Sequence, residues 1–447
     1  MQSIQPILRR TGGVACVALI ATALVSSPPV YGQAQPVAFR GAEIIPITSA
    51  PIADGVLVIR DGRIRAVGPA DDVTIPEGAE IHDVSGKVIM PGLVDTHSHV
   101  GDLDWGDDSS PIQGATRILD AVNVRDSGIR RAQAGGITAA NMMPGSGHLM
   151  SGQTVYVKFR NARRAEDLLF CEDVLTGICG GMKMANGTNP LRSSPPFPQS
   201  RAKSAALVRE KFLQAEEYRD QVQRADDNDT QRPPRDLELE AIVEVLEGQR
   251  IAHHHTHRHD DVLTVLRLQE EFGFRLVLQH VSDAWIVAEE IARSGFPSSL
   301  IMVDSPGGKL ETRDVHFRSG AYLEQAGAPV GFHTDDWITD SRYFLRQAGL
   351  AVRAGMSREG ALYGMTMAGA RMMDVDDRIG SLEPGKDADF IILSGDPLSV
   401  YTRVQETWID GIRVFDLDDP ADRPYAVGGY GLQPRPSPTA PERESGR

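Results

Sequence analysis

The stretch Pro91-Gly-Leu-Val-Asp-Thr-His-Ser-His99 decides the fold, because it carries two histidines at the end of an apolar strand predicted from Val88 to His97. Alternate residues of a strand face the same side, so His97 and His99 can direct both imidazoles at one point. Two buried imidazoles that meet in this way need a shared partner. We therefore interpret His97 and His99 as ligands of one cation.

After this stretch, apolar strands alternate with amphipathic helices, which is typical of parallel βα units. Further strands are predicted at Ile137–Met143, Thr154–Phe159, Gly181–Ala185, Arg250–Thr256, Arg275–Val281, Ser299–Asp304 and Pro329–Thr334. Helices are predicted at Lys203–Gln223, Leu237–Leu246, Asp260–Phe272, Ala284–Ser294 and Arg342–Ala354. An α/β chain with this many strands predicts a closed (β/α)8 barrel of the TIM type over residues 91–375.

Both ends of the chain have a different, β-rich pattern. Short strand-like runs separated by Asp-Gly and Pro-Glu-Gly turns fill residues 35–90, and more are predicted at Ile379–Lys386, Ala388–Leu393 and Val404–Phe415. We expect residues 35–90 and 376–420 to form one small β-sandwich domain. Residues 421–447, which become rich in proline and charge, are predicted to be a flexible tail.

The first 34 residues are typical of a secretory signal peptide. The pair Arg9-Arg10 precedes an apolar run from Val14 to Val25 that is too short to span a bilayer, and Gly32 and Ala34 are small enough for cleavage. We expect residues 1–34 to be removed on export, which predicts a periplasmic protein. An uncleaved anchor is the alternative. No later segment predicts a membrane span.

Composition narrows the class of partner. The 447 residues carry a net charge of −15, and the acidic residues are scattered through a chain without a basic stripe, which argues against nucleic acid. A small-molecule substrate fits better, and a homo-oligomer stays open. Of three cysteines, Cys16 lies in the signal peptide, and the spacing of Cys171 and Cys179 leaves open whether they are bridged or free.

Further metal-ligand candidates stand at the ends of later strands: His255 on the fifth, His280 on the sixth and Asp335 on the eighth. The carboxyl ends of barrel strands meet at one end of the barrel, so these side chains and His97 should converge. Nitrogen and oxygen donors suit zinc or a similar divalent metal.

Two ambiguities of register accompany this prediction. In the run from His253 to His259, alternation places residues 253, 255 and 257 on one face; we favour His255 as the ligand and His257 as a substrate contact. Asp335 and Asp336 must face opposite sides, and we choose Asp335 for the metal. The alternative is that Asp335 caps the next segment while Asp336 carries the chemistry.

Several motifs together resemble those of the amidohydrolase superfamily. Its opening and closing signatures are similar to residues 91–99 and to Gly380-Ser-Leu-Glu-Pro-Gly-Lys-Asp-Ala-Asp-Phe390. Three more segments resemble the imidazolonepropionase-like members, many of which are exported: Met182-Lys-Met-Ala-Asn-Gly-Thr-Asn-Pro190, the His-Thr-His-Arg segment ending at Arg258, and His333-Thr-Asp-Asp-Trp337. The resemblance covers residues 37–417.

This resemblance implies that a metal-activated water attacks an amide or related carbon–nitrogen bond other than an ordinary peptide bond. It implies a ligand set of His97, His99, His255, His280 and Asp335, with Asp335 also moving the proton. Lys183 stands where some relatives carry a carboxylated lysine that bridges two metals, so one or two ions are implied. Thr188 departs from the glutamate expected in close relatives.

The expected mechanism leaves the substrate open. Asp335 accepts the proton of water and returns it to the leaving nitrogen, while His280 or His257 orients the carbonyl. Arg258 and His148 are weaker candidates for contact with substrate. One alternative is a prolidase-like dipeptidase in which Arg258 binds the carboxylate. Another, from a different class, is an exported binding protein that has lost catalysis.

Overall fold

The computed structural model describes residues 35–103, 106–174, 177–302, 308–336 and 338–428. The predicted signal peptide, residues 1–34, and the last part of the predicted tail, residues 429–447, lie outside the described residues. Within the described part, no helix combines the length and apolar character needed to cross a membrane.

Strands and helices alternate through most of the chain. The strands are β1 Val37–Ile44, β2 Ile52–Arg60, β3 Arg63–Pro69, β4 Glu80–Asp83, β5 Val88–Pro91, β6 Leu93–Ser98, β7 Ile137–Met142, β8 Met150–Gln153, β9 Val155–Lys158, β10 Met182–Ala185, β11 Ala252–Thr256, β12 Leu276–His280, β13 Ser298–Leu300, β14 Val330–Phe332, β15 Phe390–Leu393, β16 Val404–Ile409 and β17 Ile412–Asp416. The helices are α1 Ser127–Ala134, α2 Arg201–Asp227, α3 Leu237–Leu246, α4 His259–Phe272, α5 Ala288–Ser294, α6 Ser319–Ala326, α7 Arg346–Arg353, α8 Arg358–Gly364, α9 Met367–Met372 and α10 Arg423–Val427.

One sheet contains strands from both ends of the chain. Its order is β17-β16-β15-β5-β1-β2-β3, and β4 pairs with β1. The two ends meet where β15 runs antiparallel to β5, with Phe390 opposite Pro91. The rings of Phe39, Phe390 and Trp408 pack together beside this junction. The predicted strand Ile379–Lys386 is wrong, because these residues form turns before β15.

The histidine-bearing strands belong to two other sheets. In the six-stranded sheet, β10, β11, β12, β13 and β14 are neighbours and run parallel. In the three-stranded sheet, β6 pairs in parallel with β7. The single strand predicted from Val88 to His97 is divided at Gly92, where β5 joins one sheet and β6 joins another. A Cβ atom at Gly92 would lie 2.1 Å from Thr138 Oγ1, so the chain passes too close to β7 for a larger residue.

The third predicted parallel strand has the opposite direction. β8 runs antiparallel to β10, and β9 runs antiparallel to β7. The reason is the short connection at 143–149, since a parallel return needs a crossover of about a dozen residues or more, whereas an antiparallel return does not. The predicted parallel strand Thr154–Phe159 is therefore wrong in direction, although β9 lies within it.

A buried ion cluster joins β9 to the sheet formed by the chain ends. Lys158 is completely buried, and its Nζ contacts Asp387, Asp389 at 2.9 Å and Asp410 at 2.6 Å. Arg160 Nε also lies 2.6 Å from Asp410 Oδ2. Burial raises the pKa of Asp389 to about 6, against the opposing effect of Lys158. We call these five residues the Lys158 cluster.

The end of the described chain is helical. In α10, the ring of Tyr425 lies 5.3 Å from the guanidinium of Arg130, and Arg130 pairs with Asp422. Arg342 donates to the carbonyl of Gly428 at 2.7 Å. Within residues 421–428, which belong to the predicted flexible tail, Asp422, Tyr425 and Gly428 thus contact the body of the protein.

Cys171 and Cys179 lie between β9 and β10. The two sulfurs form a disulfide bond, with Cα atoms 5.2 Å apart. The structure thus answers the question that their spacing in the sequence leaves open.

Candidate metal centre

Histidines from several strands meet in one buried cluster. Its members lie at or just beyond the carboxyl ends of β6, β11, β12 and β14, where the parallel strands bring consecutive loops together. The histidine cluster consists of His97, His99, His255, His257, His280 and His333. All are at most 5% exposed except His99, which is partly exposed.

Asp335 contacts two of these histidines at once. Its Oδ1 lies 3.0 Å from His99 Nε2 and 3.2 Å from His97 Nε2. The two Nε2 atoms are themselves 3.2 Å apart. The backbone holds this arrangement, because Asp335 N donates to His97 O at 2.9 Å and the other ring nitrogen of His99 lies 2.8 Å from Met143 O. These three side chains can therefore share one cation.

His280 occupies the middle of the remaining histidines. Its Nδ1 lies 3.0 Å from His333 Nε2, and its ring centre is 4.4 Å from that of His255 and 4.9 Å from that of His257. His97 with His280 and His333, and His255 with His257 and His280, each bring three ligand atoms within 4.8 Å of one another. The cluster thus offers two further groups of donors.

Hydroxyl groups fix two of the rings. Ser299 Oγ lies 2.8 Å from His333 Nδ1 and 2.5 Å from Thr96 Oγ1. Ser282 Oγ lies 2.8 Å from His257 Nδ1. Hydrogen bonds to one ring nitrogen set the tautomer and leave the other nitrogen for a ligand.

The backbone is strained at two members of the site. His280 has a φ of 72° and Asp335 a φ of 49°, both in the left-handed region that side chains other than glycine rarely adopt. Val281, directly after His280, has a φ of 44°. Such conformations persist where surrounding contacts fix them, and they concentrate at functional sites.

Burial keeps five of the imidazoles neutral. It lowers the pKa of His333 to about 3 and that of four other members well below the usual value: His97, His255, His257 and His280. Neutral imidazole is the form that binds metal. Burial acts to raise the pKa of Asp335, but nearby His280 and His99 outweigh it and hold that pKa well below its usual range.

Lys183 reaches the cluster from β10. Its Nζ lies 2.8 Å from His97 Nε2 and 3.0 Å from Met143 Sδ, and the side chain is completely buried. Burial lowers the pKa of Lys183 to about 7. The structure therefore brings together all the residues predicted as ligands, namely His97, His99, Lys183, His255, His280 and Asp335.

Comparison with known proteins places this arrangement in a family. The sequence profile of the Amidohydrolase family matches residues 173–415, more than half of the chain. The crystal structure of an amidohydrolase from Thermotoga maritima MSB8 is similar over 85% of this chain and 100% of that one, with 32% identity and a TM-score of 0.80. The chain belongs to the amidohydrolase family.

Two curated relatives are similar to this amidohydrolase over most of its length. This chain is 28% identical over 409 residues to the amidohydrolase tasK of Hapsidospora irregularis, and the match covers 83% of this chain and 41% of that protein. It therefore spans about two fifths of the length of that relative. It is 26% identical over 391 residues to an imidazolonepropionase of Cupriavidus taiwanensis, covering 76% of this chain and 84% of the relative. The resemblance to the amidohydrolase superfamily is confirmed.

Two weaker candidates from the sequence, Arg258 and His148, have their described contacts outside the histidine cluster. Arg258 makes two hydrogen bonds to the carboxylate of Asp260, at 2.9 and 2.8 Å, on a half-exposed side chain. His148 is buried beside Phe197, with ring centres 5.6 Å apart, and its Nε2 lies 3.6 Å from Asp108. The contacts described for Arg258 and His148 do not include the cluster, so the structure does not bring them to it.

The ligand candidates from the sequence did not include His333, a member of the cluster, or Lys309, which contacts the cluster. His333 directly follows β14 and shares the two-residue alternation of Asp335, which was a usable signal. Lys309 has its Nζ 3.5 Å from His255 Nε2, but it lies in a polar loop where periodicity gives no indication.

Asp95 is a further buried acid that sequence reasoning did not single out. Its carboxylate accepts from Thr334 N at 3.0 Å, Thr334 Oγ1 at 2.5 Å and His97 N at 3.2 Å. Burial raises the pKa of Asp95 to about 7. This acid therefore ties the end of β6 to the segment that carries Asp335.

Proposed function

We propose that this amidohydrolase is a metal-dependent enzyme that uses water to cleave a carbon–nitrogen bond of the amide type in a small molecule. The observation that carries the proposal is the contact of one carboxylate oxygen, Asp335 Oδ1, with both His97 Nε2 and His99 Nε2. Three ligand atoms at this spacing have no better common partner than a cation.

The buried donors fit a divalent metal, and zinc is the ion that we propose. His257 Nε2 and His280 Nε2 are buried without a hydrogen-bond partner among the described residues. Neutral imidazole nitrogens and a carboxylate oxygen are ligands that zinc prefers. A bound ion would give these nitrogens the partner that a buried polar atom requires.

The chemical state of Lys183 decides how many ions the site can hold. As an ammonium group 2.8 Å from His97 Nε2, it would repel a cation bound there. A neutral Lys183 fits one ion, whereas a carboxylated Lys183 would supply oxygen ligands for two. Elemental analysis of the purified protein, together with its intact mass, separates these two forms.

When bound, a divalent metal would lower the pKa of water towards about 7 and would polarise a carbonyl. The ionised carboxylate of Asp335 is placed to accept a proton from water and to return it to the leaving nitrogen. His280, at the centre of the cluster, orients the substrate carbonyl.

We further propose that the two histidine-bearing sheets close into one (β/α)8-type barrel. The segment 150–158 supports closure on one side, since β8 pairs with β10 and β9 pairs with β7. A parallel bridge between Ser98 and Asp336 supports it on the other side. In this barrel the third strand runs antiparallel, and the candidate site lies at the carboxyl ends of the parallel strands. The small domain formed by the chain ends is proposed to be the predicted β-sandwich.

Export to the periplasm is part of the proposal. The disulfide between Cys171 and Cys179 supports it, because such bonds persist in oxidising compartments. The intact mass of protein taken from the cell envelope should correspond to a chain that begins near Gln35. A mature species that retains Arg9 and Arg10 would exclude cleavage.

Hydrolysis is tested with zinc-loaded protein and a panel of N-acyl amino acids, lactams and dipeptides. We expect release of product from at least one amide class and its loss after chelation of the metal. The dipeptides test the dipeptidase alternative, in which a basic residue such as Arg258 binds the carboxylate; Arg258 is paired with Asp260. A metal-loaded protein that binds members of the panel without turnover would instead support the binding-protein alternative.

A further inference from the structure

Lys309 presents a cation beside the histidine cluster. Its Nζ donates to Asn189 Oδ1 at 2.6 Å and lies 2.9 Å from Glu311 Oε1. The same atom is 3.5 Å from His255 Nε2. The side chain of Lys309 is 31% exposed and that of Asp335 is 20% exposed, so both groups are accessible from solvent. A substrate that reaches Asp335 therefore meets a positive charge close by.

A buried chain of charges holds Lys309 in place. The Glu311 side chain is only 2% exposed, and its Oε2 accepts from Thr188 N at 2.9 Å and lies 3.3 Å from Arg201 Nη2. Arg201 in turn lies 2.9 Å from Asp261 Oδ2. Because its acidic neighbour is fixed in this way, the Lys309 head group is directed at the cluster before any ligand binds.

The close approach of Glu311 depends on a glycine. A Cβ atom at Gly187 would lie 2.7 Å from Glu311 Oε2, and Gly187 has a φ of 74°. Glycine adopts this conformation without strain and leaves room for the carboxylate. The backbone after β10 is therefore shaped to receive Glu311, which supports a specific role for the pair that Glu311 forms with Lys309.

One N–H group of Lys309 is available to a ligand. An ammonium group has three donors: one is used by Asn189, and Glu311 forms an ion pair with Lys309 at 2.9 Å. The third neighbour, His255 Nε2, is at a distance where a hydrogen bond is weak. The third donor of Lys309 is therefore left for a substrate.

We propose that Lys309 binds the carboxylate of a substrate in which that carboxylate lies next to the scissile carbon–nitrogen bond, as in N-acyl amino acids. This inference rests on the proposed hydrolase function and adds the substrate class. Charge-assisted hydrogen bonds to a carboxylate are among the stronger polar contacts in proteins. Arg258, the basic residue suggested by the sequence, already has a carboxylate partner in Asp260.

The loops on the same side also expose apolar side chains. Trp285 is 39% exposed, Phe317 41% and Ile338 50%, and these residues follow β12, β13 and β14. An amino acid with a large apolar side chain can bury part of this surface when it binds. The N-acetyl derivatives of leucine and phenylalanine are therefore the appropriate probes.

The experiment compares each acid with its carboxamide, which has the same shape without the charge. For the zinc-loaded wild type, Lys309→Met and Lys309→Arg, binding is measured by calorimetry and turnover by release of acetate. We expect the wild type to prefer the acids, Lys309→Met to reduce that preference about 10- to 100-fold, and Lys309→Arg to keep most of it. The preference is a ratio within one variant, so a partial loss of folded protein does not change it.

Lys211→Met is the matched control, since Lys211 forms an ion pair with Glu238 on α3 and should leave the preference unchanged. An equal response of the wild type to acid and amide, or a preference that survives in Lys309→Met, would overturn the proposal while the hydrolase stands. A preference lost in Arg258→Gln instead would also overturn it. Selective binding that depends on Lys309 without acetate release would retain the carboxylate site and contradict hydrolysis of N-acyl amino acids. Absence of both binding and turnover with these probes would overturn the proposed substrate class, and only a failure with the whole panel of amides would overturn the hydrolase.

Discussion

Asp335 and Asp336 are adjacent in the sequence, but their carboxylates have separate partners. Asp335 contacts the two Nε2 atoms of His97 and His99. Asp336 Oδ2 instead accepts from the backbone and hydroxyl groups of Ser341. The two acids therefore have different tasks: one belongs to the candidate metal centre and the other shapes the chain that follows.

This separation predicts opposite results for two matched variants. Asp335→Asn keeps the shape of the side chain but cannot accept a proton, so turnover should fall by about 10²–10⁴ while much of the metal is retained. Asp336→Asn should change turnover far less. Steady-state kinetics and elemental analysis of both proteins test this. An inactive Asp336→Asn variant beside a fully active Asp335→Asn variant would reassign the proton transfer to Asp336.

Loss of one imidazole should remove metal and activity together. In His97→Ala, the cation loses a ligand that contacts both His99 and Asp335 in the structure, so we expect lower metal content and a parallel loss of turnover. Chelation of the wild type should have the same effect and be reversed by zinc. Full metal content in a protein that lacks both His97 and His99 would exclude this site.

For the Lys158 cluster, we predict a large effect on the stability of the protein rather than on turnover. Lys158→Met removes the ammonium group and leaves the buried carboxylates of Asp387, Asp389 and Asp410 without it. Breaking a buried pair in this way costs about 3–5 kcal/mol in the free energy of unfolding, measured by urea denaturation. Lys211→Met, which breaks a partly exposed pair with Glu238, should cost less than about 1 kcal/mol. Similar costs for both variants would contradict the structural role of the cluster.

Asp389 should make stability depend on pH. Its pKa is raised to about 6 in the folded protein, so the folded state holds a proton that the unfolded state releases at lower pH. The contribution to stability is therefore present below about pH 4 and is lost as pH rises to about 6. Relative to Asp389→Asn, the wild type should lose on the order of 2 kcal/mol over this interval. A difference between the two proteins that is constant with pH would show that Asp389 does not titrate there.

Periodicity predicted the elements that lie within one clear pattern. The helix Leu237–Leu246 is present with the predicted bounds, and the strand Ala252–Thr256 lies within the predicted segment. The helix has apolar residues at the spacing that its own geometry requires. The ligand candidates followed from their positions, since His97 and His255 lie near the carboxyl ends of predicted barrel strands, which meet on one side.

Other features depend on connections and contacts that the periodicity of the sequence does not reveal. The direction of β9 follows from a short connection, and the division between β5 and β6 follows from the approach of Thr138 to Gly92. Glu311 holds Lys309 beside His255, and the partner of Glu311, Thr188, is more than a hundred residues away in the sequence. Contacts between distant loops of charged residues leave no repeating signal in the sequence.

The junction of β5 and β15 has a consequence for how the chain folds. Pro91 cannot pair with Phe390 until nearly all of the intervening chain has been made, so this sheet has a high contact order and should be completed late. Until then, β5 offers unpaired backbone groups to other chains, which is a route to aggregation. A chain that ends before β15 would therefore lose more than one strand: it would leave the edge of β5 permanently open.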